Sequence, residues 1–165
     1  PLTAKADICQ DKEIDMANTT FTGPVISNNG FQATPAVLAD GNITITKLTH
    51  GGKINFVPDG GQDNTYTLPA PEAGVSYRFV YGGAAADATD AIFVSPGNAN
   101  FYIGGVTFLD TDNAISSVFS DGNSNSSLQI NVPAGFDVTF IGVDSTNYRV
   151  MGSVTSATAP VFADQ

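Results

Sequence analysis

The sequence predicts an all-β fold: an antiparallel β-sandwich or barrel-like domain with an extended N-terminal arm. Charged residues make up only 13% of the 165 positions, and polarity comes instead from Asn, Ser, Thr, Asp and 17 Gly. Helices favour Ala, Leu, Glu, Lys and Arg on exposed faces, whereas Gly, Asn and Asp supply the positive-φ positions of tight turns. From Phe21 onward apolar residues recur at every second position, the period of a strand that gives one face to a core. Turn dipeptides separate the runs: Asn29-Gly30, Asp40-Gly41, Gly51-Gly52, Asp59-Gly60, Gly82-Gly83, Gly104-Gly105 and Asp121-Gly122. Short strands at such spacing are the pattern of a sandwich or barrel.

Taken in order, Ile43 and Ile45 alternate with Asn42, Thr44 and Thr46, and Ile54 and Phe56 alternate with Lys53 and Asn55. Tyr77, Phe79 and Tyr81 share one face, opposite Arg78 and Val80. Ala84 to Ala91 has the alanine content for one helical turn but no apolar stripe, and so short a helix is marginal without packing, which predicts a loop. Later runs place Phe93, Phe108, Ile130, Val138, Phe140 and Val150 on inward faces. With Ile45, Phe56 and Phe79 these form the predicted core. A faint repeat is also present. Asp59-Gly60 precedes the strand Thr65 to Leu68, then Pro69 to Gly74 leads into Tyr77, and Asp121-Gly122 precedes Leu128 to Val132, then Pro133-Ala134-Gly135 leads into Val138. Pro suits a strand end, where its missing N–H breaks no ladder bond, so both read as similar hairpins.

Residues 1–20 lack this alternation and read as an extended arm, residues 21–153 as the β-domain and residues 154–165 as a C-terminal tail. Pro1 is the residue left when an initiator Met is trimmed, the expected mark of a cytosolic product. Codons for Lys12 to Asp15 can form a ribosome-binding sequence ahead of Met16, which makes Ala17 an alternative start in some copies. Neither a secretion signal nor a run of about 20 apolar residues is seen in the sequence.

Several classes of chemistry lack their residues. The net charge is −10, from 16 acidic and 6 basic residues, with no basic run to displace counterions from a nucleic acid or dock on an anionic membrane. Cys9 stands alone, so it reads as an inert thiol without an intrachain disulfide or metal cluster. His50 is the single histidine and, in Thr49-His50-Gly51-Gly52, reads as a solvated turn residue without a nucleophile elbow. No zinc-ligand spacing and no phosphate-binding glycine loop occurs. Asp87 with Asp90, and Asp110 with Asp112, are the paired carboxylates, but Asp in Thr- and Asn-rich loops is usually a turn former. A glycosidase is disfavoured further by the absence of Trp for a sugar platform. Asp110 and Asp112 offer the oxygen ligands that Ca²⁺ accepts, a weak-binding expectation without EF-hand spacing. Asn18, Asn42 and Asn125 open glycosylation triplets that read as chance matches. The expectation is a protein that is not an enzyme, with no catalytic residue, cofactor or essential metal.

Ala17 to Phe31 (ANTTFTGPVISNNGF) resembles the opening of small structural proteins of tailed phages, particularly marine and cyanobacterial ones. Tyr66 to Gly74 (YTLPAPEAG) and Val143 to Val150 (VDSTNYRV) are similar to the same group. The segment before Met16 has no counterpart in that resemblance. The resemblance implies a virion structural protein, a capsid decoration (cement) protein on the capsid exterior. Its partners would be the major capsid protein and two further copies in a homotrimer. A head-fibre, tail-fibre or receptor-binding module contacting host glycans is the alternative it leaves open. It carries over no catalytic residue.

Overall fold

A computed structural model describes residues 33–84, 86–112 and 114–165. The predicted arm, residues 1–20, and the start of the domain, residues 21–32, lie outside the described residues. The described elements are, in order, β1 (Ala36–Val37), β2 (Ile43–Thr44), the single turn α1 (Lys47–His50), β3 (Ile54–Val57), β4 (Asn64–Thr67) and β5 (Ser76–Tyr81). Then follow β6 (Ala91–Val94), β7 (Phe101–Asp110), β8 (Ile115–Phe119), β9 (Ser127–Ile130), β10 (Pro133–Gly142), β11 (Asn147–Ser156) and β12 (Val161–Ala163). The described part of Ala84 to Ala91 before β6 forms bends and no helix, as its composition predicts.

Two sheets pack face to face, so the all-β sandwich is as the sequence predicts. A seven-stranded sheet runs β1-β3-β5-β10-β11-β7-β8 and a five-stranded sheet runs β12-β9-β6-β4-β2. The pairing is mixed rather than antiparallel throughout, with β1–β3, β3–β5, β2–β4, β4–β6 and β7–β11 all parallel. Alternation reports which face is buried and is silent on strand direction. From β1 to β6 the chain passes from one sheet to the other at every step, so it winds as a flattened coil whose successive laps pair in parallel. The long strand β10 then adds antiparallel to β5, and β11 adds antiparallel to β10.

This winding corrects the reading of the internal repeat. In both halves the strand before the Pro turn (β4, β9) lies in the five-stranded sheet and the strand after it (β5, β10) lies in the seven-stranded one. The repeats are therefore sheet-to-sheet crossovers and not hairpins, and their second strands pair with each other, Phe79 opposite Val138. The residues read as a C-terminal tail are also part of the domain. β11 continues to Ser156, and β12 pairs antiparallel with β9, Phe162 opposite Leu128.

The core between the sheets is aromatic. Phe79, Phe93 and Phe140 are fully buried, with ring centroids 4.8 Å apart for Phe79–Phe93 and 5.4 Å for Phe93–Phe140. Tyr66 stacks on Phe93 at 5.2 Å, and Tyr102 lies 5.2 Å from Phe140. A buried phenol usually finds a partner for its hydroxyl. Tyr102 donates to the Phe93 carbonyl at 3.3 Å and Tyr148 to the Pro69 carbonyl at 2.9 Å, each tying a strand to a segment of the opposite sheet or its crossover. Eight of the nine predicted core residues are buried, and Phe56 is the exception. β3 faces inward with Asn55 and Val57, leaving Ile54 and Phe56 on the outer face.

Gly152 is placed by a close approach. It faces Val138 in the β10–β11 ladder with φ +148°, and a Cβ there would sit 2.1 Å from the Asp137 carbonyl oxygen.

Candidate functional site

His50 is the first side chain to place, as the single imidazole of the chain. It is buried at the end of α1, a correction to the solvated turn that its glycine neighbours predict. Thr46 caps the helical turn through its side chain, and its own N–H donates to His50 Nδ1 at 2.9 Å. The Asn55 side-chain amide donates to the His50 carbonyl at 3.2 Å and the Arg78 carbonyl at 3.1 Å, which is why an Asn lies on the inner face of β3. The Asn55 amide thus fastens the end of α1 to β3 and β5, while the imidazole closes onto the cap of its own helical turn.

Burial, helped by the charge of Lys53, holds the His50 imidazole below its ordinary value of 6.5. Protonating Nδ1 also removes the acceptor for Thr46 N–H. A base whose folded value lies below its unfolded value binds more protons when unfolded, so its stabilising contribution is complete above pH 6.5 and is lost as pH falls through the folded value. The carboxyls of Asp40 and Asp144 are held below the usual range by hydrogen bonds, first from the side chains of Asn64 and Asn147 respectively, so their losses come at lower pH. Urea titrations at pH 7.5 and 5.5 are expected to show a fall in stability for the wild type and a smaller one for His50→Ala. At pH 7.5 the variant itself should lose about 1–2 kcal/mol, the cost of an N–H left without its acceptor.

The carboxylates form a second group. Three connections that follow β1, β3 and β5 stack at one end of the coil. Asp40 accepts from Asn64 Nδ2 at 2.9 Å and from Gly61 N–H at 3.0 Å. Asp63 accepts from Asp90 N–H at 2.9 Å, and Asp87 accepts from Gly60 N–H at 2.9 Å and from the Thr89 hydroxyl at 2.9 Å. Asp90 in turn accepts from Val132 N–H at 2.9 Å and from Gln129 Nε2 at 2.6 Å. Of the first carboxylate pair of the sequence, Asp87 therefore stitches one lap to the next, and Asp90 ties the last connection to β9 and the turn after it. The turn-forming reading holds for the second pair too, since Asp112 N–H donates to Asp110 Oδ1 at 3.0 Å. Among the described residues no three His, Cys, Asp or Glu side chains gather as metal ligands.

A shallow depression of about 420 Å³ lies on the outer face of the seven-stranded sheet, lined by Arg78, Asp137, Thr139, Met151, Gly152 and Ser153. Arg78 and Asp137 cross it as a bidentate pair, with Nε to Oδ1 at 2.8 Å. Both side chains are about half exposed, so the pair positions the β5–β10 ladder and contributes little energy of its own.

No family model, curated protein or solved structure matches this chain. The functional argument therefore rests on how polar and apolar groups are distributed. Residues 91–109, 114–120 and 150–163 carry no charge at all. They include β6, most of β7, all of β8 and β12, and most of β11. Asp40, Asp59, Asp63, Asp87 and Asp90 lie instead on the connections after β1, β3 and β5. Exposed Ile115 and Phe119 belong to the uncharged β8. Sequence reading missed this segregation because uncharged stretches recur along the whole chain, 17–39 and 122–136 among them, and the sequence does not say which of them fold into one edge.

Proposed function

We propose that this chain is a structural protein of a tailed-phage virion, a capsid decoration (cement) protein without enzymatic activity. It binds the outer surface of the major capsid protein shell as a homotrimer and stabilises it. The observation that carries the reading is the use of the carboxylates, which at the coil end hold laps of backbone together, beside exposed apolar groups on the edge strands at Val37, Ile115, Phe119 and Val161. Such a surface favours broad contact with another protein over enclosure of a small molecule. The sequence resemblance of residues 17–31, 66–74 and 143–150 supplies the virion context.

The test is co-sedimentation of the full chain with purified heads of a tailed phage whose genome encodes it. The expected result is saturable binding that raises the temperature at which the heads release DNA. A chain that stays in the supernatant at every ratio overturns the reading. The parallel winding of β1 to β6 favours a second reading, an appendage module, because stacked laps suit a fibre. Gold labelling of whole particles separates the two: label spread over the head supports decoration, and label confined to fibres supports the appendage.

A further inference from the structure

β8 ends the seven-stranded sheet and β12 ends the five-stranded sheet, and the two lie against each other on the same side of the sandwich. Among the described residues no strand pairs with the outer edge of either. Exposed edges are templates for further pairing, and proteins that stay apart guard them with Lys, Pro, a bulge or an inward charge. β8 reads Ile-Ser-Ser-Val-Phe with none of these guards, whereas β12 reads Val-Phe-Ala, a short strand between Pro160 and Asp164, so β8 is the more open of the two edges. Ile115 is 73% exposed, Phe119 71% and Val161 47%, so the edge is apolar as well as open.

The charge distribution selects the occupant. Copies of a chain with net charge −10 repel one another over roughly a Debye length of 8–10 Å. At a rotation axis the constraint is sharper, because each side chain faces its own copies and any charge meets itself. β8 and β12 themselves carry no charge, and Asp110, Asp112, Asp121 and Asp164 flank their ends, so the middle of the edge is where identical copies can approach without a charge meeting itself.

We infer that copies of this chain meet one another through the β8–β12 edge, with Ile115, Phe119 and Val161 at the contact. The three-fold stoichiometry, though not the edge itself, rests on the decoration reading above.

The test is sedimentation equilibrium of the full chain, with circular dichroism as a check on folding. Wild type is expected at three chain masses. Phe119→Lys should raise the dissociation constant by about 100-fold or more, the range of a central contact. Ser117→Lys, which adds a guard charge without removing an apolar group, should shift it in the same direction. Val37→Lys and Leu48→Lys, at exposed apolar positions on β1 and α1, should leave the mass unchanged. An assembly that keeps its mass in both Phe119→Lys and Ser117→Lys overturns the inference, as does a wild type that stays monomeric at about 100 μM, a concentration at which a weak specific interface is still populated. A wild-type dimer dissociated by both variants supports the edge and overturns the trimer. A trimer that dissociates as expected but does not bind heads supports the edge and overturns the decoration reading.

Discussion

Truncating Phe79 to Ala is expected to lower the unfolding free energy by about 3–5 kcal/mol, and Phe140→Ala by a similar amount. Both rings are fully buried between the sheets, 5.9 Å apart, and both touch Phe93. Phe79 stands on β5 and Phe140 on β10, so removing either ring opens a void where the coil of β1 to β6 meets the long antiparallel strands. Close-packed neighbours relax only partly into such a void, which adds a cavity cost to the lost transfer energy. Urea denaturation with a fixed slope measures the loss directly. A change below 1 kcal/mol would place the rings outside the core.

The second large effect is expected from the smallest substitution. Gly152→Ala adds one methyl to β11, and that methyl would lie 2.1 Å from the Asp137 carbonyl oxygen with φ at +148°. Strain of roughly 1–3 kcal/mol from the backbone conformation combines with an overpacking cost of similar size. The colliding atom belongs to backbone already held in the β10 ladder, so neither partner can rotate away. A loss of about 3 kcal/mol or more in the same urea assay is the expected outcome. A neutral Gly152→Ala would mean that the β10–β11 ladder is wider there than described.

Much of this fold was legible in the sequence, and the exceptions have physical causes. Period-two runs located the strands around Phe79, Phe93, Phe140 and Val150 because a sandwich buries one face of each. Phe56 was assigned inward on the same logic. It lies outward because Asn55 makes bonds inside that no apolar residue can make, to the carbonyls of His50 and Arg78. Hydrophobic alternation has no signal for a polar residue whose value is its amide. The Pro turns revealed that the chain reverses, but a reversal within a sheet and one between sheets use the same residues. Val161 to Ala163 was too short a run to announce a strand, and it becomes one by pairing with β9. His50 looked solvated because Gly51-Gly52 signals a turn, and a single helical turn capped by Thr46 satisfies that signal equally well. The carboxylate pairs were read as turn formers, and that chemistry is what binds the stacked connections.

The position of β10 has a consequence for how the chain becomes a sheet in time. β5 and β11 both pair with β10, and among the described residues β10 is the sole link between β1-β3-β5 and β11-β7-β8 in the larger sheet. Val80 waits for Asp137, and Phe101 waits for Asn147, before the two groups can close. Loop closures of that span precede the contacts that reward them, which places folding in the millisecond-to-second range of non-local β topologies. During the wait β8, and β7 up to Leu109, are uncharged strand segments without a finished sheet, the kind of segment that joins its neighbours irreversibly. A net charge of −10, carried largely by connections and by residues before β1, keeps such half-built chains apart in solution. The acidity that the finished domain uses to staple its laps thus also acts before the domain exists, as the colloidal protection of a slow folder.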